Sequence, residues 1–268
     1  MILIAEKLNG SIPSCAAAIA AKDDSYIKDI AKRQADSGVD FIDCCASVIE
    51  NEFDTLKWMI DAIQSVTDCP ISLDSPDVSV LVDTMPLCKK PGMFNSVSGE
   101  GNKIDIAFPV LSKPENSKWH IMALLCDDTG IPKTADKRIE VFEYIMTKAD
   151  EYGIEDNRIH VDSAVEMLCT TDDGEGASTI LDVMSHIKKA RPNVHVSGAI
   201  SNISYNLPVR RLVNQAFAVL ALNAGMDSAV LDPLNKDLRG LILAAEAMLG
   251  LDDYCAEYVS AYREGIFS

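Results

Sequence analysis

Apolar residues along this chain follow two alternating periods. Short, nearly continuous apolar runs suit buried strands, and the segments between them repeat their apolar residues about every 3.6 positions, as one face of a helix does. Eight strand-like runs occur, at residues 2–5, 41–44, 71–74, 92–95, 120–125, 158–162, 194–200 and 228–232. Strands that alternate with helices in this way are typical of a parallel sheet with crossover helices.

The length of the chain suits a closed arrangement of these units. A (β/α)8 barrel usually takes about 250 residues as one domain, and the 268 residues here contain no Pro/Ser/Gly-rich linker. We therefore predict an α/β fold, a single-domain (β/α)8 TIM barrel over residues 1–268. The alternative is a doubly wound sheet. It is less favoured because eight units would make a wide sheet and no G-x-G-x-x-G follows the first strand.

Composition narrows the choice of partners. The chain has 24 basic and 41 acidic residues, and its net charge of -17 should repel nucleic acid and anionic membranes. No apolar run approaches the ~18 residues of a membrane span and no signal peptide is evident, so we expect a cytoplasmic protein. The eight cysteines form no C-x-x-C and no zinc-ligand spacing with histidine, which predicts reduced thiols and no protein-bound metal.

Acidic and amide residues follow most of the predicted strands. They are Glu6, Asn9, Asp43, Asp74, Asn95, Asp127, Asp128, Asp162, Ser201, Asn202 and Asp232. The active site of such a barrel lies at the C-terminal ends of its strands, so these side chains should surround one mouth. Any single one could equally cap the helix that follows. As a ring they need a ligand between them, because converging carboxylates repel unless a cation or a hydrogen-bond donor separates them.

Two kinds of ligand suit such a mouth. One is a divalent metal held by several carboxylates. The other is a pterin, whose pyrimidinone presents two parallel N–H donors to a carboxylate and further polar atoms to amides. The metal is less favoured because no lysine base is evident in a strand and His160 should face outward or pack in the wall.

Seven segments, each at or beside a predicted strand end, resemble a known family when taken in order. They are AEKLNG (5–10), LDSPD (73–77), FNSVSGE (94–100), DTGIPKTADKR (128–138), HVDSAV (160–165), SNISYNLPVRRLVNQAF (201–217) and AGMDSAVLDP (224–233). Together they resemble the methyltetrahydrofolate:corrinoid protein methyltransferases, pterin-binding barrels related to dihydropteroate synthase and to the folate domain of cobalamin-dependent methionine synthase. The resemblance covers essentially the whole chain.

The resemblance implies a reaction and the residues that carry it. It implies methyl transfer between N5 of tetrahydrofolate and the cobalt of a corrinoid on a partner protein, in either direction, by a homodimer. The implied pterin ligands are Asp74, Asn95 and Asp162. Asn202 would sit beside N5 as the catalytic residue, with Asp43 and Ser201 in support.

The chain departs from the family pattern at a few positions near these residues. Ala199 replaces the usual glycine and is small enough to keep the approach of the pterin open. Arg210, by contrast, keeps the family pattern and matches an arginine near the mouth, although an arginine early in a helix also suits a solvated face. Cys45 and Tyr205 stand where the family commonly has an amide and a glutamine.

The chemistry explains why a neutral amide suits the position of Asn202. An amine anion is a poor leaving group, so N5 must be protonated or strongly hydrogen-bonded as the methyl group departs. An amide stays uncharged at every pH, and it could present its N–H to N5 or its oxygen to a protonated N5. Three alternatives stay open: a dihydropteroate-synthase-like enzyme, a non-catalytic folate-binding or corrinoid-docking module, and a divalent-metal lyase.

Overall fold

The computed structural model describes residues 1–46, 51–170 and 177–267. Eight parallel strands form one sheet in the order β7-β6-β5-β4-β3-β2-β1-β8. The strands are β1 (Ile2–Asn9), β2 (Phe41–Cys45), β3 (Ile71–Asp74), β4 (Met93–Ser98), β5 (His120–Leu124), β6 (Ile159–Asp162), β7 (His195–Ser197) and β8 (Ser228–Leu231). Backbone hydrogen bonds from Asp227 to Val196 and from Val230 to Gly198, both 3.1 Å, join β7 to β8. The predicted (β/α)8 barrel is therefore confirmed.

Helices surround the barrel. They are α1 (Pro13–Ala21), α2 (Asp24–Asp36), α3 (Glu52–Gln64), α4 (Val78–Thr84), α5 (Lys103–Leu111), α6 (Ala135–Glu151), α7 (Ser178–Ala190), α8 (Arg210–Asn223), α9 (Lys236–Met248) and α10 (Ala256–Arg263). Short 3₁₀ helices lie at Met85–Leu87, Pro114–Asn116, Asp156–Arg158, Leu168–Thr170, Ile200–Ser204 and Asp253–Cys255. None of the described helices is long and apolar enough to cross a membrane.

The helices bury the apolar stripes that the sequence predicts. In α3, Leu56, Met59 and Ile63 are fully buried at helical spacing, and they join the main core between helices and strands. Side-chain caps fix several helix starts. Asp23, for example, accepts hydrogen bonds from the backbone N–H groups of Ser25 and Tyr26 at the start of α2.

Inside the barrel, an apolar layer lies below a polar one. Ile4, Phe41, Met93 and Met122 pack together as a small cluster of buried residues. Successive side chains of a strand point to opposite faces, so the residue two positions further along shares the same face. From Ile4, Phe41 and Met93, that step leads to Glu6, Asp43 and Asn95. The fold thus directs these polar side chains into the mouth.

Of the two expectations for His160, that it faces outward or packs in the wall, the outward one is wrong. His160 is fully buried. Its Nδ1 lies 2.8 Å from the Ser228 Oγ, and its Nε2 lies 2.9 Å from Nδ1 of His120. It also stacks on His195 with ring centroids 4.5 Å apart. Because His160 precedes Asp162 by two residues, it shares the inward face of that aspartate. Burial lowers the pKa of His160 well below its usual value, so the ring is neutral at physiological pH.

The seventh strand ends earlier than predicted. Regular pairing stops at Ser197, and Ala199 makes only a single parallel bridge with Val230. Between them Gly198 weakens the strand, and a side chain there would come within 2.9 Å of Val165. Asn202 therefore lies in the 3₁₀ helix Ile200–Ser204, beyond the strand.

Candidate active site

Three of the predicted pterin-site residues form a hydrogen-bonded group on β2, β3 and β4. Asp43 accepts hydrogen bonds at Oδ1 from the Ser72 hydroxyl at 2.9 Å and from the Asn95 amide at 3.4 Å. Asp74 lies hydrogen-bonded to Asp43 and to the thiol of Cys45. The parallel register explains the grouping, because Cys45 pairs with Asp74 and Asp74 pairs with Asn95 across neighbouring strands.

Burial favours the protonated form of both carboxyl groups in this set. Burial, and then the nearby charge of Asp74, raise the pKa of Asp43 well above its usual value. Burial also raises the pKa of Asp74, to about 6, while hydrogen bonds from Cys45 and Asp43 oppose that rise. The Ser72 and Asn95 donors both reach Oδ1 of Asp43. Burial thus favours a protonated Asp43, which can donate a hydrogen bond to Asp74.

Asp162 ends β6 and faces the same mouth. Its Oδ1 accepts a hydrogen bond from the backbone N–H of Ala164 at 2.8 Å. Burial raises the pKa of Asp162 to about 6, the Ala164 hydrogen bond and the charge of Arg138 oppose the rise, and the charge of Asp74 adds to it. Each of its oxygens keeps a lone pair for a further donor. Asp74 and Asp162 can therefore both accept hydrogen bonds from a ring bound between them.

A second polar group surrounds the 3₁₀ helix that follows β7. The Ser201 hydroxyl donates to Oε2 of Glu6 at 3.0 Å, and burial raises the pKa of Glu6. Arg210 donates from Nη2 to the Ser201 carbonyl at 2.7 Å and from Nε to the Ser204 hydroxyl at 3.0 Å. These bonds tie the 3₁₀ helix to β1 and α8. They fix the backbone on which Asn202 stands.

Asn202 is exposed, and its side-chain amide makes no hydrogen bond to any of the described residues. Its backbone N–H donates to the Ala199 carbonyl at 3.2 Å, and its carbonyl accepts from the Tyr205 N–H at 3.1 Å. The side chain therefore caps no helix or turn within the described ranges. It is available to a ligand.

Four residues of the predicted ring have hydrogen-bond or ion-pair partners of their own. Oδ1 of Asn9 accepts from the N–H of Ser11 at 2.9 Å. Asp127 accepts from the Thr129 hydroxyl and N–H, and Asp128 accepts from the Gly101 N–H at 2.7 Å. Asp232 forms an ion pair of 2.8 Å with Lys7. For Asn9 and Asp127, each hydrogen-bonded to a residue two positions further along, the turn contact is sufficient explanation.

Sequence reasoning missed several residues near the mouth. No lysine base was expected in a strand, but β1 continues to Asn9 and includes Lys7, which forms an ion pair with Asp232. Ser72 was missed because its hydroxyl acts through Asp43, and Arg138 because its contacts come from other elements. Within residues 1–46, 51–170 and 177–267, no group of three or more His, Cys, Asp or Glu side chains is arranged to hold a metal ion.

Comparisons with known proteins agree on a pterin-binding barrel. A family model described as "Pterin binding enzyme" matches residues 8–232. A methylcorrinoid:tetrahydrofolate methyltransferase from Eubacterium limosum is 42% identical over 266 residues, which cover 99% of this chain and 97% of that protein. The methionine synthase of Mycobacterium leprae is 27% identical over 82% of this chain, but the match spans only 19% of that longer protein.

Solved structures with the same fold include dihydropteroate synthases. The enzyme of Yersinia pestis, in a sulfonamide drug complex, is 13% identical with a TM-score of 0.68, and the match covers 93% of this chain and 94% of that one. The enzyme of Xanthomonas albilineans, in complex with 7,8-dihydropteroate, is 17% identical with a TM-score of 0.61. That match covers 94% of this chain and 92% of that one. At these identities the likeness concerns the fold alone.

Proposed function

The chain belongs to the pterin-binding enzymes and, within them, to the methylcorrinoid:tetrahydrofolate methyltransferases, and we propose that it moves a methyl group between N5 of tetrahydrofolate and the cobalt of a corrinoid on a partner protein. The full-length relative supports this activity. The observation that carries it is the group of buried carboxyl and amide side chains at the ends of β2, β3 and β4, which suits a pterin. Asn202 directly follows Ser201, whose hydroxyl donates to Glu6 on β1, and its side-chain amide has no hydrogen bond to the described residues.

In this proposal the pterin ring binds to Asp74, Asn95 and Asp162. The ring's parallel N–H donors suit an ionised carboxylate, and Asp74 and Asp162 both lie close to neutral in pKa, at about 6. Binding a donor-rich ring lowers the pKa of each carboxyl group it contacts, because hydrogen bonds to the charged form favour that form. Asp43 supports the site by donating a hydrogen bond to Asp74.

The reacting end of the mouth consists of Asn202 and the contacts that hold it. In one direction the cobalt(I) electron pair attacks the methyl carbon, the bond from that carbon to N5 breaks, and N5 takes up a proton. In the other, the N5 lone pair attacks the methyl group of methyl-cobalt(III), the cobalt keeps the electron pair of the broken bond, and N5 releases its proton. Asn202 hydrogen-bonds N5 in both directions, while Ser201 and Arg210 keep its backbone in place. Ala199 leaves room for the ring.

The simplest test mixes the purified protein with a methylated corrinoid protein and tetrahydrofolate, without oxygen. The corrinoid spectrum should change as the methyl group leaves cobalt, and 5-methyltetrahydrofolate should form in equal amount. Binding of tetrahydrofolate without a spectral change against a panel of carriers would favour the non-catalytic module. Synthesis of dihydropteroate would favour the second pterin enzyme, and loss of activity in a chelator would favour a metal lyase.

The proposal includes a cytoplasmic homodimer, and the surface suggests which face pairs. In α9, Leu238 and Ile242 are each 3% exposed, so these apolar residues cover the barrel. The outer face of α8 is different. Leu212, Ala216 and Leu220 recur every fourth residue and are exposed, with Leu212 at 57% and Leu220 at 50%. Such a stripe suits a second copy of the chain.

Light scattering should therefore report twice the mass of the chain at micromolar concentration. The double variant Leu212→Glu/Leu220→Glu should be monomeric, because it would bring like charges together in an apolar interface. The matched control is Tyr144→Glu/Tyr152→Glu, which changes exposed apolar side chains on and beside α6 and should leave the mass unchanged. A wild-type monomer would contradict the dimer.

A further inference from the structure

One buried cation beside the mouth has no part in the proposed binding set. Arg138 lies in the first turn of α6, and only 2% of it is exposed. Its guanidinium donates from Nε to the Pro132 carbonyl at 2.8 Å, from Nη1 to the Ser163 and Ala164 carbonyls at 2.5 and 2.8 Å, and from Nη2 to Oε2 of Glu166 at 2.6 Å. Three of these acceptors directly follow β6.

These contacts hold an unusual turn next to a proposed pterin ligand. Ala164 has a φ of 54°, a left-handed conformation that residues other than glycine seldom adopt. In this conformation its N–H points to Oδ1 of Asp162, at 2.8 Å. The guanidinium binds the carbonyls on both sides of that N–H, those of Ser163 and Ala164. Arg138 thus bridges α6 to the turn that orients the Asp162 carboxylate.

We propose that Arg138 is a positioning residue for pterin binding, because it holds the turn through which the Asp162 carboxylate is aimed at the ring. The inference rests on the proposed function. The charge of Arg138 acts in the same direction as this geometry, because it opposes the rise in the pKa of Asp162 that burial causes. Asp74 is the charged group that acts on Asp162 from the other side, and it raises that pKa.

A second buried arginine provides a matched control at the other end of the same strand. Arg158 is 7% exposed, and it donates to the carbonyls of Trp119, Leu111 and Asn116, each at 2.9 Å. It directly precedes β6, whereas Asp162 ends it. Replacing either arginine removes a buried guanidinium that binds main-chain carbonyls. Only Arg138 contacts the turn at the mouth.

The experiment measures tetrahydrofolate affinity by calorimetry from about pH 5 to pH 8, the range in which Asp162 titrates. We compare wild type with Lys and Met variants of each arginine. Arg138→Lys should bind tetrahydrofolate about tenfold more weakly at neutral pH, since it keeps the charge but loses the branched guanidinium that binds several carbonyls. Arg138→Met should also move the pH at which half of the affinity is lost to a higher value. The Arg158 variants should lose thermal stability, but their affinity should stay within about twofold of wild type.

The outcomes separate a positioning role from a structural one. Equal losses of affinity in the Arg138 and Arg158 variants, or an unmoved midpoint in Arg138→Met, would overturn the proposal. In an Asp162→Asn background, Arg138→Met should no longer move the midpoint.

If Arg138→Met does not fold, Arg138→Lys and Glu166→Gln decide. Glu166→Gln removes the anion that faces Arg138. In this variant the pH at which half of the tetrahydrofolate affinity is lost should fall, and a rise would contradict the proposal. Absence of tetrahydrofolate binding by wild type would contradict the proposed function instead.

Discussion

Replacing Asn202 with alanine is expected to lower the rate of methyl transfer about 100- to 1000-fold while changing tetrahydrofolate binding far less. The side chain makes no hydrogen bond to the described residues in the unliganded protein. Its loss therefore leaves no described donor or acceptor unpaired. The contact with N5 strengthens as charge develops there, so the cost falls mainly on the transition state.

The magnitude follows from preorganisation. Loss of one fixed hydrogen bond to a developing charge typically costs about 2.7 to 4 kcal/mol. Here the 3₁₀ helix is fixed by Ser201, which donates to Glu6, and by Arg210, which donates to the Ser201 carbonyl. The backbone that carries the Asn202 side chain therefore need not reorganise as the methyl group moves.

Single-turnover transfer, followed in the corrinoid spectrum, measures this effect beside equilibrium binding of the folate. Asn9→Ala is the matched control, because Asn9 is also an amide near the mouth but its oxygen is occupied by the N–H of Ser11. Its transfer rate should stay close to that of wild type. Equal losses of rate and affinity in Asn202→Ala would make Asn202 a binding residue only. No loss in either would remove it from the site.

The fold was accessible from the sequence because parallel strands and crossover helices leave distinct periods. Each predicted strand overlaps an observed one. The largest errors are at the first strand, which continues to Asn9, and at the seventh, where Gly198 and the bridge at Ala199 replace regular pairing. A glycine in an apolar run does not reveal whether the strand continues, since the close contact with Val165 comes from another element. Where β7 ends is therefore decided by tertiary contacts, which the local sequence does not show.

The site was only partly accessible for the same reason. The residue types at strand ends indicated a polar mouth, but the sequence could not separate Asp74, hydrogen-bonded to Asp43, from Asp127, which accepts from Thr129 in its own turn. Local and long-range partners use the same side chains. Residues two apart in a strand share a face, so the inward position of Asp162 also predicts that His160 lies inside the barrel, as observed.

Asp74→Asn should make the empty protein more stable at neutral pH and weaken its binding of tetrahydrofolate. Burial raises the pKa of Asp74 from its ordinary value of 3.8 to about 6. Its charge therefore costs stability above pH 6, and this cost is relieved as pH falls from about 6 towards 4. An asparagine avoids the cost, so the variant should gain on the order of 1 to 3 kcal/mol at pH 7 and almost nothing at pH 4.

The folate response should have the opposite sign. An amide cannot accept two parallel N–H donors as a carboxylate does, so the variant should bind tetrahydrofolate about 1 to 3 kcal/mol more weakly. Chemical denaturation of the empty protein across that pH range and calorimetry with the folate measure the two effects. Asp54→Asn, an exposed acid on α3, is the control and should change neither. If Asp74→Asn loses stability and keeps its affinity, Asp74 holds the barrel together and does not bind the pterin. Opposite changes in the same variant would mean that this carboxylate is retained for its ligand at the expense of the empty fold.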